Sequence, residues 1–388
     1  MVPKAGRGAE RRWTSKRVGQ HGARILSVRF GSPAPVKTAR DDESRGVLVV
    51  TAHVGVRWTY LGVGLALGVL LLVLAVRGVD ASALRRSLTG ANPWWVALGL
   101  VTVAGTVAAK ALRWRLLFYP SHEGLRLSTL VSALLIGQTV NLLLPARLGE
   151  LARAYLVAQE ENRPALSVLG TIVVEKTLDG LALLLLLGIL LLLMPVPPWL
   201  RLSGVVAALM TGALLAMVLL LAGARWRVIR ASERLGQIVP VLGSLRLGER
   251  VSSLGDGLRS LRAWGVQARL LIWTAAIWVL AGLTNYFVLL ALRIEVPLVL
   301  ASVLVLTMVH LGLVVPTSPA RIGVFHYLCL LALSLLGAEE SVALAFGLVL
   351  HGIVVLPVMA VGLVCLWKAN LSLYRLAADV DGRRWMSR

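Results

Sequence analysis

Charged residues are scarce in this sequence. Only 15% of the 388 residues are Asp, Glu, Lys or Arg, whereas a soluble protein carries about 25%. Hydrophobic residues make up 57%, and the mean hydropathy is +0.80. Apolar runs long enough to cross a bilayer, about 18–25 residues each, recur along the chain. The composition excludes a soluble globular protein and predicts an all-α, polytopic transmembrane helical bundle.

Cysteine is nearly absent. The two present, Cys329 and Cys365, both lie in apolar runs without the spacing of metal ligands, which indicates small core residues. We therefore expect no disulfide, zinc site or haem, and no cofactor. His310, His326 and His351 also lack metal-ligand spacing and are interpreted as core histidines.

Recognisable catalytic motifs are also missing. The sequence has no Ser-His-Asp set at plausible spacing, no glycine-rich phosphate loop after a strand and no H-x-x-x-x-D acyltransferase box. These absences do not favour an enzyme. They leave transport, binding or an unusual membrane-embedded reaction.

Acidic residues are few, 19 against 40 basic ones, and the net charge is +21. The basic residues lie mostly between the apolar runs, as in loops retained in the cytoplasm, so nucleic acid is not the expected partner. Residues 1–55 are predicted to be a basic, mostly disordered cytoplasmic tail, and residues 368–388 a second basic cytoplasmic tail. Between them, residues 56–367 form the transmembrane domain, with an amphipathic cytoplasmic loop at 225–267. We expect a multi-pass protein of the cell membrane with both termini in the cytoplasm.

Nine apolar segments are present, and nine crossings would place the two basic tails on opposite sides of the membrane. Eight spans satisfy the charge pattern if residues 127–144 re-enter on the cytoplasmic side. Pro145 breaks that segment, and Gln138 and Asn141 make it polar, which favours this choice. The expected spans are 57–76, 94–112, 167–194, 203–224, 268–291, 297–315, 321–337 and 341–366.

Three charged residues follow the first proline break. Arg147, Glu150 and Arg153 are spaced at intervals of three, so on a helix they lie along one ridge. Two bases and one acid leave a surplus positive charge, and guanidinium groups match phosphate oxygens. The ridge predicts a phosphate-headgroup site, with Gln138 and Asn141 beside it. The alternative is an interfacial helix anchored by snorkelling arginines.

A second charged cluster lies in an apolar segment. Glu175 and Asp179 share a helix face, and Lys176 can reach Asp179 at i,i+3. The cluster is a partner for the arginines or a proton-coupled acid on one interpretation. On the other it is a self-neutralised structural ion pair. Asn285 is interpreted as a helix–helix hydrogen bond.

The sequence around the first break recurs near the C-terminus, which suggests a two-fold internal repeat. Pro145-Ala146-Arg147-Leu148-Gly149 is matched by Pro319-Ala320-Arg321-Ile322-Gly323. Arg321 therefore either faces the same cavity as Arg147 or is an interface arginine. The expected structural breaks are Pro145, Gly149, Pro316, Pro319 and Gly323.

These motifs resemble the flippase-like membrane region of the lysylphosphatidylglycerol synthase family, over about residues 57–367. The carriers are Arg113-Trp114, Gly137 and Asn141 before P-A-R-L-G-E at 145–150, Glu175-Lys176 with Asp179, and P-T-S-P-A-R-I-G-V at 316–324. The resemblance implies a stand-alone helical bundle without the synthase domain. It also implies Arg147, Glu150, Glu175, Asp179 and Arg321 as cavity residues.

Three functions are compatible with the sequence. The leading hypothesis is translocation of an anionic or amino-acylated phospholipid, or of a polyprenyl-linked lipid, between leaflets. A membrane-embedded transferase acting on a lipid-linked sugar or phosphate is the alternative, with Glu150, Glu175 or Asp179 as general base. The third is a non-catalytic membrane partner subunit. Expected partners are the lipid substrate, membrane lipids, and a second copy of the chain or a partner synthase.

Overall fold

A computed structural model describes residues 62–144, 148–223, 230, 247–312 and 318–369. Within these ranges every regular element is helical. The helices are α1 Gly62–Val76, α2 Ala81–Thr89, α3 Pro93–Leu117, α4 Leu127–Leu143, α5 Gly149–Glu160, α6 Ala165–Leu193, α7 Pro198–Gly223, α8 Leu247–Asp256, α9 Trp264–Ala291, α10 Leu298–Gly312, α11 Val324–Ser334 and α12 Glu340–Lys368. Short 3-10 turns lie at Arg259–Arg262 and Pro319–Arg321.

Five of the described helices, α3, α6, α7, α9 and α12, are long and apolar enough to cross a membrane. The pair α1 and α2, bent by 91°, would make a sixth span. The predicted count of eight is not confirmed. With 15 and 11 residues, α10 and α11 reach only about 22 and 16 Å at 1.5 Å per residue, short of a hydrocarbon core of about 30 Å.

Helix α3 begins at Pro93, next to the start of the expected span 94–112. The side chain of Asn92 caps α3 by accepting a hydrogen bond from the Trp94 backbone N–H at 3.0 Å, and Pro93 occupies the first turn. Trp94 is itself exposed, as expected of an aromatic residue at a membrane interface. Large apolar side chains such as Leu192 and Leu209 also point outward. This outward apolar surface suits a lipid environment.

Helices α4 and α5 form an antiparallel hairpin around the first proline break. At its open end Arg126 Nε lies 3.5 Å from Glu161 Oε1. Near its tip the Gly149 backbone N–H donates to Asn141 Oδ1 at 2.7 Å. The helices approach so closely that a Cβ added at Gly149 would overlap the Gly137 carbonyl oxygen. The segment predicted to re-enter is therefore one arm of a hairpin, and Pro145 lies outside the described residues.

Helices α10 and α11 pack against each other around the second break in a similar way. A Cβ added at Gly312 of α10 would come within 2.5 Å of Leu328 Cδ1 on α11. The chain turns through residues with positive φ, 53° at Ala320, 61° at Arg321 and 87° at Gly323. His351 of α12 fixes this turn by donating from Nε2 to the Ala320 carbonyl oxygen at 2.9 Å. The turn also contacts α4, so the second break lies against the first hairpin.

The interior contains two hydrophobic cores. One is formed mainly by α10, α11 and α12, with Leu304 and Phe346 fully buried. The other surrounds the α4–α5 hairpin and the first half of α6. Helix α8, in the predicted amphipathic loop, packs on α6, and a Cβ added at Gly257 would overlap the Ser167 carbonyl oxygen. Most of that loop before residue 247, and both tails, lie outside the described residues.

We predict that Gly323→Ala destabilises the protein strongly. Gly323 has φ 87° and ψ −67°, a γ-turn conformation that is strained for residues with a side chain, and its added Cβ would overlap the Gly68 carbonyl oxygen. We expect a loss of about 2 kcal/mol or more, read as a lower midpoint of thermal unfolding in detergent.

Gly352→Ala is the matched control. Gly352 lies inside α12, and nothing stands within 4 Å of its added Cβ. The higher helix propensity of alanine should leave stability unchanged or raise it by up to about 1 kcal/mol. Equal unfolding midpoints for the two variants would contradict the close packing of α1 against the second break.

Candidate functional site

The predicted charged residues are organised by α6, which presents Glu175 and Lys176 to α5 and Asp179 to α3. Glu175 pairs with Arg153 of α5 through two hydrogen bonds, 3.0 Å from Nη1 to Oε1 and 2.8 Å from Nη2 to Oε2. Both residues are buried, at 4% and 5% exposure. The Arg153 Cζ atom also lies 4.2 Å from the ring centroid of Trp114. This two-pronged, aromatic-covered geometry fixes the arginine in one position.

Asp179 pairs with Arg113 of α3, with 2.6 Å between Oδ1 and Nη1. The same nitrogen donates to Thr274 Oγ1 of α9 at 3.1 Å. The arginine side chain is fully buried while that of Asp179 is 27% exposed. Nε and Nη2 of Arg113 are buried without a hydrogen-bond partner among the described residues. The Asp179 carboxylate is therefore the counter-charge on which this guanidinium depends.

Lys176 pairs with Glu150 of α5, with Nζ 3.0 Å from Oε1. The other carboxylate oxygen accepts from Asn141 Nδ2 at 3.1 Å. The sequence-based expectation that Lys176 reaches Asp179 is wrong in this structure. Lys176 does not form the i,i+3 contact because α5 packs beside α6 and places the Glu150 carboxylate next to it. Glu175 and Asp179 likewise bond outward to arginines, so the cluster is not self-neutralised.

These three pairs contain three cations and three anions, so they are neutral together. Glu150 and Arg153, the two described members of the ridge, are each paired with an oppositely charged residue of α6, so neither contributes a surplus charge. Arg147 lies outside the described residues, as do Pro145 and Pro316. The interpretation of Arg147 as a headgroup ligand thus stays a prediction.

A cavity of about 150 Å³ lies beside the charged pairs, between α3, α4, α9, α10, α11 and α12. Most of its wall is apolar, including Val305, Phe325 and Val358. Asn285 confirms its predicted helix–helix role, because its Nδ2 donates to the Ser302 carbonyl oxygen at 3.1 Å. The polar residues on the wall are Thr106, Lys110, Gln138, Thr284, Asn285 and His310.

Lys110 is a cavity residue that the sequence analysis missed. The expected span 94–112 placed Lys110 close to its end, where a charged side chain is unremarkable. Helix α3 instead continues to Leu117, and Lys110 lies 17 residues after Pro93, about 26 Å along the helix. Arg113 follows three residues later and is buried. Trp114 also lies beyond residue 112, and at 0% exposure it is a core residue rather than an interfacial one.

Most of the other predicted residues that the structure describes lie outside the cavity. Of the eight predicted binding residues that are described, only Gln138 is on its wall. Arg321 is half-buried in the second turn, away from the lining. His326 accepts from the Gly323 backbone N–H at 3.4 Å and helps to close that turn. Cys329 is buried and Cys365 half-buried, in agreement with core positions.

The protein is thus an integral membrane protein whose helical bundle contains two broken hairpins and internal ion pairs. Residues 61–362 match the family described as the lysylphosphatidylglycerol synthase TM region. The match covers more than three quarters of the 388 residues. The chain therefore belongs to this family, as its sequence motifs indicated.

A curated protein is also similar to part of the chain. Glycosyltransferase AglD of Haloferax volcanii is 33% identical over 128 residues, which is 33% of this chain. The chain spans only about a fifth of the length of that relative, 20%. Family and relative together indicate a function connected with membrane lipids.

We predict that breaking the buried pair costs far more than breaking an exposed one. Arg153→Met leaves Glu175 as an uncompensated buried charge, which should lower the free energy of unfolding by about 3–5 kcal/mol. The double variant Arg153→Met, Glu175→Leu should recover most of that loss because it removes both charges. Chemical denaturation in detergent measures both.

The Arg86–Asp80 pair is the control, since its side chains are 73% and 58% exposed. Arg86→Met should cost no more than about 1 kcal/mol. A loss in Arg153→Met as small as in Arg86→Met would show that the buried pair does not hold α5 against α6.

Proposed function

We propose that this protein translocates, or helps to translocate, a lipid with an anionic or amino-acylated headgroup between the leaflets of the cell membrane. The observation that carries the proposal is the cavity with Lys110, Gln138 and His310 on its wall. A charged side chain inside a membrane costs about 2.5–3.5 kcal/mol even on lenient scales. Such residues are expected where a polar ligand or water replaces the lost hydration.

The two broken hairpins support a pathway for the headgroup. Helices α10 and α11 are too short to span, so we propose six spans, the bent pair of α1 and α2 together with α3, α6, α7, α9 and α12, and two re-entrant hairpins. Six crossings keep both basic tails on the cytoplasmic side. Three crossings, α6, α7 and α9, separate the hairpins, so on this topology they enter from opposite faces. Because the two hairpins touch inside the bundle, they would together close one route through the membrane, each from its own face.

The charged pairs would line the part of that route that moves, where the α4–α5 hairpin contacts α6. Glu150, Arg153 and Asn141 all belong to the α4–α5 hairpin, and their partners Lys176 and Glu175 belong to α6. Parting of the hairpin from α6 would expose both members of two ion pairs to a passing headgroup. An anionic phosphate could then pair with Arg153, and an amino-acyl ammonium with Glu175. The same residues would thus accept both charges of an amino-acylated lipid.

A transferase acting on a lipid-linked sugar is the second candidate, and the similarity to glycosyltransferase AglD favours it. It needs a free general base. All three acids are held in ion pairs, and Glu175 is also buried. Asp179 is the most exposed of them at 27%, so this candidate requires Asp179 to part from Arg113 before it can act as the base.

We predict that Asp179→Asn slows lipid translocation. Purified protein in vesicles containing fluorescent phosphatidylglycerol should make inner-leaflet label accessible to an external quencher. Losing the charged bond to Arg113 should slow that rate about tenfold, the effect of roughly 1.4 kcal/mol. Glu123→Gln is the control, because Glu123 lies exposed between α3 and α4 and should translocate like the parent.

Translocation by Asp179→Asn at the parent rate would remove this carboxylate from the transport route. A parent protein that moves no lipid, but releases a product from radiolabelled polyprenyl-phosphate sugars in an Asp179-dependent way, would instead establish the transferase.

A further inference from the structure

We propose that Lys110 binds the phosphate ester of a lipid headgroup in the central cavity, so that the preferred ligand is a net anion. This inference rests on the proposed function and names the ligand class of its cavity. The network cations Arg113, Arg153 and Lys176 each bond to a carboxylate. Lys110 has no ion pair or hydrogen bond to any described residue, although it faces the cavity.

Asp179 and Glu175, the acids of the neighbouring pairs, are already bound to arginines. Asp179 is not free to pair with Lys110, because its Oδ1 lies 2.6 Å from Arg113 Nη1. Glu175 is likewise held by both terminal nitrogens of Arg153. Since the three pairs are neutral together, Lys110 adds one uncompensated positive charge to the wall. A ligand that neutralises it must be negative.

The hydrogen-bonding groups on the wall point to the same class. The hydroxyls of Thr106 and Thr284 donate to carbonyl oxygens of their own helices, at 2.8 and 3.0 Å. Lys110 has three N–H donors and no acceptor, and the Gln138 amide adds two donors and one acceptor, without a partner among the described residues. His310 Nδ1 donates to the Leu306 carbonyl oxygen at 2.8 Å, which leaves Nε2 as an acceptor. A ligand with a phosphate and a neighbouring hydroxyl satisfies these groups, because the phosphate accepts from Lys110 and Gln138 while the hydroxyl donates to His310 Nε2.

The size of the cavity limits the headgroup. At about 150 Å³ it is comparable with a cavity that admits benzene, or with about five waters at 30 Å³ each. A phosphate ester with a small alcohol fits, whereas an oligosaccharide does not. The apolar wall around the donors suits the adjoining glycerol or prenyl carbons. Glycerophospholipids and polyprenyl phosphates share this chemistry, and binding measurements distinguish them.

The test uses the full chain in phosphatidylcholine nanodiscs, titrated with phosphatidylglycerol in one arm and polyprenyl phosphate in the other. Lys110→Met should weaken binding of the true ligand about tenfold, and Lys110→Arg should stay within about threefold of the parent. Lys368→Met is the matched control, because it removes the same charge at the exposed end of α12. Its binding should equal the parent's.

Stability separates ligand binding from a structural role. Without added lipid, Lys110→Met should unfold at the parent's temperature or higher, because an uncompensated charge leaves the bundle. A structural lysine would give a lower unfolding temperature. The arm in which binding depends on Lys110 identifies the source of the phosphate.

Equal binding by Lys110→Met and the parent in both arms would overturn the inference, even if the parent translocates lipid. So would loss of the Lys110→Met effect in an Asp179→Asn background, since Lys110 would then act through Asp179. Lys110-dependent binding by a parent that translocates no lipid would support the inference and refute the proposed function.

Discussion

The buried pair between Arg153 and Glu175 is the contact on which the arrangement of the site depends. It is two-pronged and nearly inaccessible, so it joins the α4–α5 hairpin to the spanning helix α6. Gly137 leaves room for the arginine stem, and a Cβ there would overlap Arg153 Cγ. Trp114 covers the guanidinium while its Nε1 donates to Thr171 Oγ1 at 3.0 Å. One ion pair thereby positions parts of α3, α4, α5 and α6.

Around that contact the bundle separates two electrostatic environments. In the first, Arg113, Arg153 and Lys176 are neutralised pairwise, which makes the burial of Arg113, Arg153 and Glu175 tolerable. In the second, the cavity beside them, Lys110 faces polar groups and apolar carbons and has no acid partner in the part of the chain that the structure describes. The first environment can hold a hairpin in place, and the second can attract a ligand. The proposed transport function needs both, because a headgroup must be bound and a wall must then move.

The sequence was sufficient for the class of fold and for the family, because apolar length, basic loops and the two P-A-R-x-G motifs are local features. It also predicted the break before Gly149 and five of the six residues of the charged pairs, whereas Arg113 was noted only for the family resemblance. It could not identify their partners, since Lys176 has acids available on its own helix and on α5, and only packing decides between them. It overextended the segments around Arg321, because hydropathy alone does not reveal that α10 and α11 end inside a hairpin. Lys110 was missed for the same reason, since a charge near the end of an apolar run looks interfacial until the length of the helix is known.

The central claim is that a headgroup cavity within the membrane region opens to water. The most direct measurement places a cysteine at Gln138, with Cys329 and Cys365 replaced by alanine, and labels it in oriented vesicles with a membrane-impermeant thiol reagent. Gln138 lies on the cavity wall and belongs to the first hairpin. We predict labelling from either side of the membrane, at a rate that added phosphatidylglycerol lowers. No labelling from either side, or labelling that lipid leaves unchanged, would contradict the account.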